Sequence, residues 1–328
     1  MRIPTVRHAR ILSLLILTAL PACDNVDWGG ADIQIVPAPP PPAEALAMQD
    51  SAAATNLGLP RGTVLFHVVK GSGATLVYPV AEVSGDSLRT LRRPPNMAAE
   101  TYQARFRQAV FQPGAQVALY RRGARVGTLT LTGNGPVTPC GLPTATGDAT
   151  TVAAAADATE FLGFRVGLHP EVRGDYSPPQ ISRSIQTFSG IAAEKLILQN
   201  GLPRPRSWAG AQKDLQAIEV IRGGNPEMAA TYLVGDRLAQ GPAEEGGYSV
   251  FYLAGYETRT GYTPFYSEVR NYSRTGKAAP RLVDYLNWDA AGGQDVLVQV
   301  YGRDQTWYEA VSQNEGGRWV KTWEGGRC

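Results

Sequence analysis

Residues able to do chemistry are few in this 328-residue chain, and they are scattered. His67 sits inside the apolar run Thr63-Val-Leu-Phe-His-Val-Val69, and His169 precedes Pro170. A lone histidine in a strand-like run is ordinarily held by its neighbours. Neither one belongs to an H-E-x-x-H or C-x-x-C set. There is no G-x-S-x-G nucleophile elbow. No glycine run leads into Lys-Ser or Lys-Thr to cradle phosphate. Acidic pairs such as Glu244-Glu245 beside Gly246-Gly247 read as a solvated loop, not as a glycosidase pair at a set separation. The sequence therefore nominates no catalytic residue.

Oxygen donors are better organised in Asn287-Trp-Asp-Ala-Ala-Gly-Gly-Gln-Asp295, which runs into the apolar strand Val296-Leu-Val-Gln-Val300. Residues 284–300 resemble one calcium-loop repeat of the FG-GAP/VCBS type. Asn287, Asp289, Gly292 and Asp295 fall on matching positions. The resemblance implies Ca2+ held by Asn287, Asp289 and Asp295. Ala291 stands where a third ligand is expected, and calcium takes six or more oxygens. Two readings follow: a calcium site, or an Asx-rich loop of that shape without metal. Only one copy is present, whereas the family builds propellers from several.

Aromatic residues crowd the chain after residue 230, thirteen Tyr and Trp from Tyr248 to Trp323. Alternation puts Tyr248, Val250 and Tyr252 on one strand face, and Phe251 and Leu253 on the other. One reading exposes some of them as a glycan- or protein-binding surface, with Trp307, Trp319 and Trp323 as candidates. The other buries them in the core and in cross-strand pairs.

The N-terminus carries the one strong address. Arg2, Arg7, His8 and Arg10 precede the apolar run Ile11–Leu20, and Leu20-Pro21-Ala22-Cys23 closes it. This is the layout of a secretory signal, and with Cys23 it resembles a bacterial lipobox, with Pro21 where Ala, Ser or Thr is commoner. The resemblance implies cleavage before Cys23, a lipidated Cys23, and a protein held on the periplasmic or cell-surface side of a membrane. A dozen apolar residues fall short of the ~20 that cross a bilayer. Cys140 and Cys328 then remain as an even pair, free to form a disulfide in an oxidising compartment or to stay as thiols. Loss of Arg2, Arg7 and Arg10 takes the 31 basic residues to 28 against 29 acidic ones, or −1. A near-neutral chain has no electrostatic case for nucleic acid.

Residues 23–58 read as the lipid anchor and a Pro/Ala-rich tether, with Val36–Pro42 in extended polyproline form. Residues 59–135 read as a small β-rich domain. Its hairpin is Gln116–Tyr120 with Arg125–Leu131, and a helix over Asn96–Phe111 shows Met97, Tyr102, Phe106 and Val110 on one face. Residues 136–176 read as a connector with one strand near Glu160–Val166. In 177–328, Ser177-Pro-Pro-Gln180 starts a helix. Its stripe is Ile185, Phe188, Ala192, Leu196 and Gln199, and it stops at Asn200-Gly201. Strands follow at Gln216–Ile221, Ala229–Val234, Tyr248–Leu253, Pro264–Tyr272, Asp295–Tyr301, Thr306–Ser312 and Arg318–Trp323. The expected fold is mainly β with α+β character: a small N-terminal β domain and a C-terminal antiparallel-sheet domain with one prominent helix.

These readings favour a lipid-anchored envelope lipoprotein with a non-enzymatic binding or assembly role. It would meet the membrane through its lipid and an envelope protein or glycan through its aromatic half. The alternatives are a glycan- or calcium-dependent adhesion module and an envelope hydrolase without a recognisable motif.

Overall fold

Alternation of apolar and polar residues over 59–165 rolls the chain into a closed antiparallel barrel. The computed structural model describes residues 59–169, 172, 175–221, 226–288 and 293–328; Cys23, the tether and Asp289 lie outside them. The barrel strands are β1 (Thr63–Lys70), β2 (Thr75–Ser84), β3 (Ser87–Thr90), β4 (Gln116–Arg121), β5 (Ala124–Val137), β6 (Pro143–Thr151) and β7 (Glu160–Arg165). Their order is β1-β7-β4-β5-β6-β2-β3, and β1 also pairs with β2, so six strands close a ring and β3 extends it. Closure removes the exposed edges that an open sheet would carry.

Phe66, Val68, Val117, Leu119, Val126, Leu129 and Phe161 fill the interior. Helix α1 (Ala99–Val110) packs Tyr102, Phe106 and Val110 against them. Gly163 points inward among these side chains: a Cβ there would stand 2.8 Å from Val117 Cγ1. The β4–β5 turn needs positive φ at both central residues, Arg122 at 51° and Gly123 at 76°, the geometry that matches strand twist in two-residue hairpins.

Residues 136–176, expected as a connector with one strand near Glu160–Val166, supply that strand as β7 and also β6 to the ring. The β6 sequence Pro-Thr-Ala-Thr-Gly-Asp-Ala-Thr-Thr has small residues where an apolar alternation would announce a strand.

The rest of the chain is a sandwich of two four-stranded antiparallel sheets. One contains β8 (Gln212–Ile218), β9 (Glu227–Val234), β10 (Tyr248–Glu257) and β11 (Gly261–Asn271), in the order β11-β10-β9-β8. The other runs β12 (Ala279–Leu286), β13 (Asp295–Tyr301), β14 (Thr306–Gln313) and β15 (Trp319–Glu324) in sequence order. Between them lie Phe251, Leu253, Leu282, Tyr285, Val296, Val298, Val300, Trp307 and Trp319.

Helix α2 (Arg183–Gln199) covers the outer face of the first sheet through Ile185, Ala192, Ala193, Leu196 and Ile197, packed on Tyr232, Tyr248 and Tyr252. The phenols are stitched to that layer: Tyr252 donates to Ser189 O at 2.6 Å and Tyr232 to Ser189 Oγ at 3.1 Å. The helix starts later than Ser177-Pro-Pro predicts, because Ser182 provides the cap, accepting from Ile185 N at 3.1 Å. Gln199, expected on the buried stripe, is exposed. Asn200 and Gly201, at φ 66°, end it.

The outer face of the second sheet, with Val283, Leu286, Leu297 and Ala310, packs on the barrel wall formed by Leu65, Ala118, Tyr120, Leu162 and Phe164. Barrel and sandwich thus share a core within one compact unit, Thr55–Cys328. The β4–β5 turn is pinned at this seam: Asp284 accepts from Arg122 N at 2.8 Å and from Arg121 Nη1 at 3.2 Å. Strand β12 was not foreseen, since its Arg281 and Asp284 make sense only against the barrel. Among the described residues no helix is long and apolar enough to cross a membrane.

Candidate functional site

Pleating decides which side chains reach the seam. Phe66 and Val68 face the barrel interior, so the intervening His67 faces outward, as does Glu160 at the start of β7. On the second sheet, Arg281 of β12 lies opposite Gln299 of β13, which lies opposite Tyr308 of β14. That row of three crosses the sheet and meets His67 and Glu160 face to face.

The five are joined in one chain of contacts. Arg281 grips Glu160 through two hydrogen bonds of 2.6 Å each, and its Nη2 also reaches Gln299 Oε1 at 3.1 Å. Tyr301 donates to the same Gln299 oxygen at 2.8 Å. His67 Nδ1 and the Tyr308 hydroxyl are 2.9 Å apart. His67 Nε2 stands 3.5 Å from Glu160 Oε1, within Coulomb reach and long for a hydrogen bond. We assign the Nε2–H tautomer, with the Tyr308 hydroxyl donating to Nδ1, because it turns the ring's proton toward the Glu160 charge.

Burial alone would raise the Glu160 carboxyl, but its close contact with His67, and the hydrogen bonds and charge of Arg281, outweigh it and hold the group well below the usual carboxylate range. Burial pushes the Tyr308 phenol far up, so it stays protonated at neutral pH. Glu160 is therefore a fixed counter-ion and Tyr308 a neutral donor. No Ser, Cys or Lys belongs to this chain of contacts. The cluster can orient and bind a ligand through His67 and Tyr308.

It forms one wall of a cavity of about 580 Å³ between barrel and sandwich, within the ordinary range for small-molecule sites. Val69, Val80, Leu91, Leu142, Leu238 and Trp323 give it apolar walls. Two of the residues facing it, His67 and Trp323, carry buried nitrogens, Nε2 and Nε1, without a hydrogen-bond partner. At the rim, Cys140 and Cys328 are joined by a disulfide with Cα atoms 4.7 Å apart. Cys328 also exchanges backbone bonds with Thr306, at 2.6 and 2.9 Å.

The aromatic candidates separate. Trp307 is 3% exposed and donates to Glu309 Oε1 at 2.8 Å. Trp319 is 8% exposed and packs on Phe265. Neither can be a surface contact; only Trp323, half-buried, reaches the cavity. The aromatic density of this half has gone into the two cores flanking the first sheet. His169 is also structural, stacked on Phe164 and bonded to Trp288 O at 3.1 Å.

Two of the three calcium-loop donors, Asn287 and Asp295, lie among the described residues. Asp295 uses Oδ1 to accept from Ser312 Oγ at 2.5 Å, and Oδ2 faces Trp288 N at 3.4 Å. Asn287 Oδ1 is buried without a partner, but Asp289 lies outside the described residues. Among the described residues no group of three or more His, Cys, Asp or Glu could hold an ion.

A smaller charged pocket, of about 310 Å³, surrounds Arg270, Glu268, Glu309 and Lys321. Arg270 meets both Glu309 oxygens, at 2.8 and 2.9 Å, and Glu268 at 2.5 Å, so its charges are spent on one another.

Sequence reasoning noticed His67 but missed Glu160, Arg281, Gln299 and Tyr308. The contacts across the seam join residues 121 and 241 positions apart, Glu160 with Arg281 and His67 with Tyr308, and no local spacing signals them. No family model, curated protein or solved structure matches this chain.

Proposed function

We propose that this is an exported lipoprotein, anchored through Cys23, that binds a small and mainly apolar molecule at the seam between barrel and sandwich without transforming it. The observation that carries the binding is the cavity itself: apolar walls beside a neutralised polar cluster. The anchoring rests on the lipobox resemblance, and several acyl chains at Cys23 would give a stable attachment where one is marginal.

Two measurements test it. Cells labelled with a fatty-acid analogue should incorporate it into the native chain and not into Cys23→Ala; equal labelling removes the anchor. A panel of medium-chain alcohols and amphiphiles, read by Trp fluorescence and thermal shift, should find ligands for the native chain that Val69→Trp rejects. Saturable binding that survives Val69→Trp refutes the cavity.

An assembly role is favoured by one separate observation. Ile191 and Leu198, two turns apart on α2, are 54% and 49% exposed, on the face turned away from the sandwich. Replacing both by Glu should abolish crosslinks to an envelope protein while leaving ligand binding unchanged. Crosslinks that persist in that variant remove this reading.

A further inference from the structure

The cavity has a basic neighbour. A second depression, of about 840 Å³, follows the segment after β3 and is lined by Arg89, Arg92 and Arg93 with one carboxylate, Glu82. Thr90 and Leu91 line both spaces, so the two meet at that segment. Charge is concentrated on this part of the chain. Residues 59–137 carry ten Arg and Lys against three Asp and Glu, a net of +7, whereas 138–328 carry eighteen against twenty-one. Of the three arginines, Arg89 is 3.6 Å from Glu82 and Arg93 donates to the Met97 carbonyl. No carboxylate among the described residues pairs with Arg92 or Arg93. Guanidinium groups match phosphate and carboxylate with two-pronged hydrogen bonds.

We propose that the two depressions form one site for an anionic amphiphile. A phosphate or carboxylate head sits among Arg89, Arg92 and Arg93, and the alkyl chain passes Thr90 and Leu91 into the cavity. The polar cluster inside cannot take the head, because the carboxylate of Glu160 already holds Arg281 with both oxygens and would repel a second anion. The charge has to stay at the mouth, where arginines are in excess. This assignment rests on the cavity being a ligand site and adds the class of ligand.

The test uses the full chain with decyl phosphate, decanol and inorganic phosphate, all below micelle concentrations, followed by anionic and neutral phospholipid vesicles. Decyl phosphate should bind roughly tenfold or more tighter than decanol, the worth of one charge-assisted contact. R92A/R93A should bring the two to within roughly threefold, with decanol affinity unchanged. Gly326→Trp should weaken both by roughly tenfold; a Cβ at Gly326 stands 3.5 Å from Thr90 Cγ2, so the indole lies across the passage.

Equal affinity of the native chain for decanol and decyl phosphate overturns the head-group assignment and leaves the cavity reading intact. Failure of both probes to bind overturns both. Decyl phosphate binding that resists Gly326→Trp and is displaced by inorganic phosphate marks an anion site unconnected to the cavity, and refutes the proposal. Arginine-dependent binding to anionic vesicles that Gly326→Trp leaves unchanged marks a membrane-docking surface, and refutes it too.

Discussion

Removing Arg281 should expose how much of the seam depends on one ion pair. In the native chain its guanidinium holds Glu160 with two 2.6 Å bonds, and the two side chains are 17% and 20% exposed. Arg281→Met leaves a mostly buried carboxylate with only His67 beside it. Breaking a buried pair costs about 3–5 kcal/mol, and the partial exposure here reduces that to about 2–4 kcal/mol. The double variant E160Q/R281M has no stranded charge and should return to within about 1 kcal/mol of the native chain.

Urea denaturation at several pH values reads both effects. Glu160 is held below the ordinary value of 4.5 when folded, so its contribution is complete above that pH and fades as pH falls below it. In Arg281→Met burial wins and the folded carboxyl rises, so the stability slope at this group reverses and falls as pH rises past 4.5. In the double variant neither slope remains. A single variant as stable as the native chain, or a double variant as weak as the single, would refute this account of the seam.

Four other outcomes are expected. Reducing the Cys140–Cys328 bridge, which spans 188 residues of sequence, should lower stability by about 2–5 kcal/mol, measured against Cys140→Ser/Cys328→Ser in the same urea series. Glu227 is buried, and desolvation lifts its carboxyl to about 7 despite bonds from Val220 and Ile221. A raised carboxyl costs stability as pH climbs from 4.5 to 7, by about 2 kcal/mol here, and Glu227→Gln should flatten that slope. Single-tryptophan variants should show acrylamide quenching of Trp323 and protection of Trp307 and Trp319; quenching of all three alike would contradict their burial. Calorimetric titration with calcium should show no binding at millimolar affinity or tighter, and a clear isotherm would restore the loop at Asn287–Asp295 as a metal site.

Which features could be read in advance follows from how far their causes reach along the chain. The Gln116–Leu131 hairpin, the α1 stripe of Tyr102, Phe106 and Val110, and the β13 run were legible because their apolar pattern is local. Alternation also sorted Tyr248, Val250 and Tyr252 from Phe251 and Leu253 correctly, each set in its own core. Strand β6 was missed because its inward residues are Ala145, Gly147 and Ala149, small enough to fit a crowded barrel. Strand β12 was missed because its polar residues answer to the barrel: Arg281 to Glu160, and Asp284 to Arg121 and Arg122. The aromatics left two readings open for a related reason: thirteen Tyr and Trp exceed one core, but the sandwich and its helix make two.

The polar row at the seam has to be explained against what surrounds it. Leu65, Leu162, Phe164, Val283, Leu286 and Leu297 close the rest of the interface with apolar contact. A buried ion pair is a poor way to gain stability there, since well-packed apolar residues of similar volume often do as well or better. A seam selected for adhesion alone would carry leucine or methionine at Glu160 and Arg281 and leave no cavity of this size beside them. The unpartnered Nε1 of Trp323 adds a further cost that closer packing would have removed. Polar side chains retained at a net expense, next to space that is not filled, favour a site kept for a ligand over one kept for the fold.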